Sequence, residues 1–266
     1  MLEIFLICLA FGCFSGILAG LFGLGGGLVL VPFFLILLET HGIANDLLML
    51  MSVATSLATI IITSIAATLT HYRLGTIIWK YVFNLSYGIV IGVIIGAWVA
   101  DSIASDSLRF IFASYMLYVA VQMAMQSQLK AKLKPFVALT LKISGVAIGF
   151  VSSVLGIGGG TLTVPLLAKH QMPMRNAVAI SSACGLPIAV IGTLTYAFLG
   201  WQKTGLPEGS LGYIYLPAFL GVIISSMLTT PLGAKLANKL PTKQLKRYFS
   251  LLLFAVAGKL LWMIIF

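Results

Sequence analysis

Apolar stretches of membrane-spanning length recur along the whole chain, and the longest polar gap is the short run from Ser127 to Pro135. Two of these stretches are interrupted by consecutive glycines, and each is followed by three unbroken ones. The pattern predicts a broken segment over residues 4–38, then helices near 46–70, 78–100 and 108–126. It predicts a second broken segment over residues 136–168, then helices near 174–199, 211–233 and 244–265. The expected organisation is one transmembrane domain of two repeats, residues 1–126 and 136–266, with a cytoplasmic linker over residues 127–135.

The halves share residues as well as hydropathy. Gly23-Leu24-Gly25-Gly26-Gly27-Leu28-Val29-Leu30-Val31-Pro32 matches Gly156-Ile157-Gly158-Gly159-Gly160-Thr161-Leu162-Thr163-Val164-Pro165. Gly96-Ala97-Trp98-Val99-Ala100 resembles Leu232-Gly233-Ala234-Lys235-Leu236-Ala237. Ser52-Val53-Ala54-Thr55-Ser56 has a loose counterpart in Ser181-Ser182-Ala183-Cys184.

Whether each broken segment crosses the membrane or turns back at its glycines decides the topology. If both turn back, each half makes three crossings and the second half is inverted relative to the first. All of the 16 Lys and Arg except Arg109, Lys203 and Lys259 then share one side, and all 6 acids share the other. If both cross, the loop cations split almost evenly. Orientation follows the Lys/Arg bias of short loops, which favours the inverted arrangement with the basic side cytoplasmic and both termini outside. In the second half, about thirteen residues lead from Lys142 to the break and about eight from Thr161 to Lys169. These arms are roughly 20 Å and 12 Å long, near half of a ~30 Å hydrocarbon core. The arm from Ile4 to Phe22 is long enough to span.

Composition removes whole classes of function. The chain is 60% hydrophobic and 8% charged, with a mean hydropathy of +1.11, too little charge to coat a soluble domain. Its net charge of +10 sits in short loops, and no basic domain or recognition element points to nucleic acid. Cys8, Cys13 and Cys184 lie in apolar segments without metal-ligand spacing, so they read as small buried hydrophobes. No cofactor and no metal is implied. Glu3 stands where a signal peptide carries basic residues, and this segment has a repeat partner mid-chain, so it is expected to be retained. Paired intramembrane acids and nucleophile–base constellations are missing, which argues against an enzyme.

The glycine breaks carry the chemistry. Each glycine costs a membrane helix roughly 1 kcal/mol relative to alanine, and non-helical backbone at that depth is tolerated only where protein or water satisfies it. Glycine permits positive φ and lets backbone N–H groups approach a ligand. A helix beginning at each break would point its positive dipole end at the membrane midplane, and two such ends make an anion site without any fixed charge. Pro32 and Pro165 are expected near the first turns of these helices, where a missing donor matters least. Thr55, Ser56, Ser181 and Ser182 lie near the starts of the following helices, where they could meet substrate oxygens or bond neighbouring helices. Thr161 and Thr163 follow the second break directly. His71 is expected at the cytoplasmic interface and Lys259 as a snorkelling side chain.

The two glycine motifs with their following Val-Pro, the stretch Ala54-Thr55-Ser56-Leu57, and His71 ahead of Gly75 and Trp79 resemble the sulfite exporter TauE/SafE family. The resemblance covers essentially the whole chain. It implies a secondary transporter of sulfite, sulfonates or related small sulfur anions, with Gly25, Gly26, Gly27, Gly158, Gly159 and Gly160 as substrate-contacting residues. The second half departs from it at Ser181-Ser182, where a Thr-Ser pair is expected. The partners expected are a small anion and the lipid of the cell inner membrane, with homo-oligomerisation left open. Without an Asp or Glu inside the predicted spans, Asp46 standing at the very edge of one, a carboxylate proton relay is not expected, and the membrane potential could drive an anion outward. A transporter of another anion such as a carboxylate, or an anion channel, remains the alternative.

Overall fold

The computed structural model describes residues 2–22, 26–124, 138–237 and 242–265. Helices α1 (Leu2–Phe22) and α2 (Gly27–Thr40) flank the first glycine break, followed by α3 (Asn45–Arg73), α4 (Trp79–Ser102) and α5 (Ser105–Ala124). Helices α6 (Ala138–Leu155) and α7 (Gly160–Lys169) flank the second, followed by α8 (Met174–Leu199), α9 (Leu216–Ala237) and α10 (Thr242–Ile265). Among the described residues, six helices are long and apolar enough to cross a membrane: α1, α3, α4, α5, α8 and α9. The chain is an all-α integral membrane fold, as the hydropathy pattern predicts. The linker expected over residues 127–135 lies outside the described residues.

One helix begins later than its hydropathy suggests. Residues 211–215 are apolar, but Gly209 and Gly212 adopt φ of 83° and 55°, values that a helix does not use. Here β1 (Ser210–Leu211) pairs antiparallel with β2 (Ile214–Tyr215), and α9 starts only at Leu216.

Glycines at every fourth position set the closest helix contacts. Gly12, Gly16 and Gly20 of α1 face Val222, Ser226 and Gly233 of α9 in order, so the two helices run parallel. Gly88, Gly92 and Gly96 of α4 face Lys142, Val146 and Phe150 of α6 in the same sense. A Cβ at any of these six positions would collide with the partner's backbone. In a membrane this close approach gains dispersion contact where hydrophobic burial gives no drive.

Central helices α3 and α8 pack on each other and join the ends of the bundle. The Arg175 Nη2 and Asn176 Nδ2 groups donate to the carbonyls of Leu74 (3.5 Å) and Thr76 (2.9 Å). The start of α8 therefore lies at the end of α3. At the opposite end, the Tyr213 hydroxyl donates to Asp101 Oδ1 at 2.6 Å, bringing the α8–α9 connection to the end of α4. A second broken segment that turns back permits both contacts. One that crosses would put each pair on opposite faces.

Candidate functional site

The first break reverses the chain. Phe11 of α1 and Phe33 of α2 stack with ring centroids 3.8 Å apart, impossible for rings that far apart in sequence on one continuous helix. The N-cap glycines, Gly26 and Gly159, have left-handed φ of 79° and 72°. Gly26 lies back beside Ser15 and Ala19, while Gly159 lies beside Ile148 and Ser152. Since Gly12 and Gly16 rest on the middle of α9, α2 begins in the interior of the bundle. The Gly26 carbonyl accepts from Val29 and Leu30, and the Gly159 carbonyl from Leu162 and Thr163. The amides of Gly27, Leu28, Gly160 and Thr161 precede the first helical bonds and have no acceptor within their helices.

Pro32 and Pro165 fall beyond the first turn, not within it. Each is the sixth residue of its helix, so it deprives the carbonyl four residues earlier, on Leu28 or Thr161, of its helical donor. Both polar types of backbone group are thus left open near each break.

The two breaks touch. A Cβ on Gly27 would meet the Gly156 carbonyl and lie 2.8 Å from Ile157 Cα. Ser56 Oγ donates to the same Gly156 carbonyl at 2.8 Å, bracing the second break from α3. On the other side the Gly158 carbonyl lies 3.4 Å from the Cβ position of Gly185 in α8. Of the predicted glycines, Gly25 lies outside the described residues. Gly26 and Gly159 are caps, Gly27 and Gly160 open the helices, and Gly158 precedes the second cap.

The predicted hydroxyls divide. Ser56 and Thr161 belong to the breaks, with Thr161 Oγ1 bonded to the Tyr115 hydroxyl of α5 at 2.7 Å. Thr55 Oγ1 instead accepts from the Tyr215 amide at 3.0 Å, and Ser182 Oγ donates to the Val178 carbonyl of its own helix at 3.0 Å. Sequence reasoning did not find Ser152 or Tyr115. Ser152 and Thr163 have buried hydroxyls without a hydrogen-bond partner, on the two helices flanking the second break. A buried orphan hydroxyl is uncommon and calls for a ligand or a water. His71, expected at the interface, is buried, with Nδ1 3.3 Å from Thr76 Oγ1.

Two voids adjoin the helices that follow the breaks. A cavity of about 290 Å³ between α5, α6 and α7 runs from Thr161 to Lys169, past Tyr118, Gln122 and Ser144. Lys169 ends α7 on the face that carries Arg175. Toward the end carrying Glu39 and Asp106, a void of about 10 Å³ adjoins Pro32 and Arg109.

Apolar helices of spanning length around two interrupted ones define a multi-pass α-helical membrane protein. Residues 8–260 match the sulfite exporter TauE/SafE family, and the chain belongs to that family. It is 38% identical to a probable membrane transporter protein of Haemophilus influenzae, over 97% of this chain and 98% of that protein. A probable membrane transporter protein of Methanocaldococcus jannaschii is 31% identical over 91% of this chain and 90% of its own length. YunE of Bacillus subtilis, also a probable membrane transporter protein, is 25% identical over 97% of both chains. No solved structure matches. The chain is a membrane transporter.

Proposed function

We propose that this transporter carries small sulfur-containing oxyanions, sulfite or a sulfonate, outward across the inner membrane by alternating access around its paired glycine breaks. The observation that carries the proposal is the contact between the two glycine breaks, each leading into an interior helix capped by a left-handed glycine. Their open amides and aligned peptide dipoles favour an anion, and no Lys or Arg is needed beside them. Gly26, Gly27 and Gly158 to Thr161 supply the N–H groups, while the orphan hydroxyls of Ser152 and Thr163 complete the set. Ser182 becomes a donor to the anion only in a conformation that releases the Val178 carbonyl, whereas Thr55 accepts from the Tyr215 amide and keeps its own proton to donate. The parallel pairs α1–α9 and α4–α6 are equivalent under exchange of the halves, which supports two inverted repeats.

The larger cavity lies on the face bearing Lys169 and Arg175, read as cytoplasmic from the charge bias, so this conformation is inward-facing. An inside-negative potential favours outward movement of an anion by roughly 2.3 kcal/mol per charge per 100 mV. Proteoliposomes loaded with sulfite test the reading: an imposed inside-negative potential should accelerate saturable efflux. Efflux that ignores the potential would refute the electrogenic mechanism, and conductance without counterflow would mark a channel.

A further inference from the structure

Arg109 is a buried cation in the first turns of α5, and the oxyanion reading given above leaves it without a role. Its side chain is 8% exposed. Nη1 lies 4.0 Å from Glu39 Oε1 of α2 and 4.0 Å from Asp106 Oδ1, the outer limit of an ion pair. Both carboxylates also reach solvent, Glu39 at 35% and Asp106 at 83% exposure. Nε and Nη2 are buried and have no hydrogen-bond partner. Those two nitrogens form one edge of the planar guanidinium, with parallel N–H groups spaced for two oxygens of a single oxyanion. The acids hold the far corner of the group, and the bidentate edge is free. A buried guanidinium normally has its donors satisfied, because removing them from water is costly otherwise.

The void beside Arg109 is walled by Val31, Pro32 and Leu35 of α2, Met49 of α3, Phe112 of α5 and Leu260 of α10. At about 10 Å³ it has room for roughly one water and none for a sulfonate. Pro32 follows the Gly26–Gly27 break by little more than one turn, so this void lies along α2 between the break and Glu39.

We propose that Arg109 is an oxyanion-binding residue on the pathway between the glycine breaks and the Glu39 face. Its Nε–Nη2 edge takes two oxygens of the passing anion when α2 and α5 separate, and the substrate displaces Glu39 as its counter-charge. The proposal rests on the oxyanion-transport reading for its setting, but the chemistry needs only a small oxyanion. In this conformation Glu39 and the apolar wall keep the site shut while the opposite cavity is open.

The test measures dissociation constants and counterflow of the full chain with sulfite, methanesulfonate, acetate and chloride. Wild type is compared with Arg109→Gln, Arg109→Lys and Glu39→Gln, with melting temperature followed in parallel. Arg109→Gln should weaken sulfite and methanesulfonate binding at least tenfold, and Arg109→Lys should fall between, keeping the charge without the fork. Glu39→Gln should tighten binding several-fold by removing the competing carboxylate. If Arg109→Gln does not fold, Arg109→Lys and Glu39→Gln decide. Variants that shift only the melting temperature and leave every dissociation constant unchanged overturn the proposal and make Arg109 structural. Arg109-dependent binding of acetate, with none of the sulfur anions, upholds the oxyanion role and refutes the sulfur specificity. Binding of chloride alone, or of nothing, overturns both.

Discussion

Gly27→Ala tests the contact on which a paired site depends. The added Cβ would sit on the Gly156 carbonyl and 2.8 Å from Ile157 Cα. Carbons normally pack at about 3.5–4.0 Å, so the two breaks must part by roughly 0.7 Å or more. Both partners are backbone, and neither can swing aside as a side chain would. Overpacking of this kind costs about 1–3 kcal/mol, and about 1.4 kcal/mol is tenfold in a rate. The control is Gly26→Ala, whose Cβ would come no closer than 3.3 Å to the Ser15 carbonyl. It carries only the strain of φ at 79°, worth about 1–2 kcal/mol. Melting in detergent and sulfite counterflow in proteoliposomes read the outcome. Gly27→Ala should lower both, with counterflow falling tenfold or more, and Gly26→Ala should lose less transport. A Gly27→Ala protein with wild-type melting and wild-type counterflow would refute the claim that the breaks touch.

Three further substitutions probe the surroundings. Ser56→Ala leaves the Gly156 carbonyl without its donor, so stability should fall by about 1–3 kcal/mol in chemical or thermal unfolding. Thr163→Val removes a buried hydroxyl that has no protein partner; it should leave the empty protein as stable or up to about 1 kcal/mol more so, yet weaken anion binding. Unchanged binding would remove Thr163 from the site. Tyr213→Phe breaks the bond to Asp101 and should cost about 1.5–3 kcal/mol. Burial pushes the Tyr213 phenol pKa up, reinforced by the hydrogen bond to Asp101 and that residue's charge. Because the folded pKa is raised, its contribution is complete below about pH 10, the ordinary tyrosine value, and is lost as pH rises above that. Melting temperatures of wild type and Tyr213→Phe should therefore differ by a constant amount from pH 6 to 9 and converge at higher pH.

Much of this fold is legible in the sequence because a bilayer demands long apolar helices, and Gly-Gly-Gly has few uses inside one. Loop charge sorted the ends of the helices as the Leu74–Arg175 and Asp101–Tyr213 contacts do. The rest depends on which side chains meet across helices. Gly12, Gly16 and Gly20 carry the four-residue spacing of close packing, but only the α9 contact reveals their partner. Thr55 and Ser56 are adjacent in sequence and face different neighbours, one the Tyr215 amide and one the Gly156 carbonyl. Ser152 gave no signal, because a serine in an apolar helix ordinarily bonds its own backbone. The late start of α9 was hidden because hydropathy does not register the positive φ of Gly209 and Gly212.

The central claim is that the two touching breaks, with the helix starts that follow them, hold the transported anion. Counterflow of radiolabelled sulfite into sulfite-loaded proteoliposomes tests it most directly, comparing wild type with Gly159→Ala. In that variant the new Cβ would strain φ at 72° and crowd Ile188 Cδ1 at 2.5 Å, beside the free amides of α7. The account predicts saturable counterflow in wild type that unlabelled methanesulfonate competes away, and at least a tenfold weaker sulfite affinity in folded Gly159→Ala protein. Equal affinity in the two proteins would contradict it.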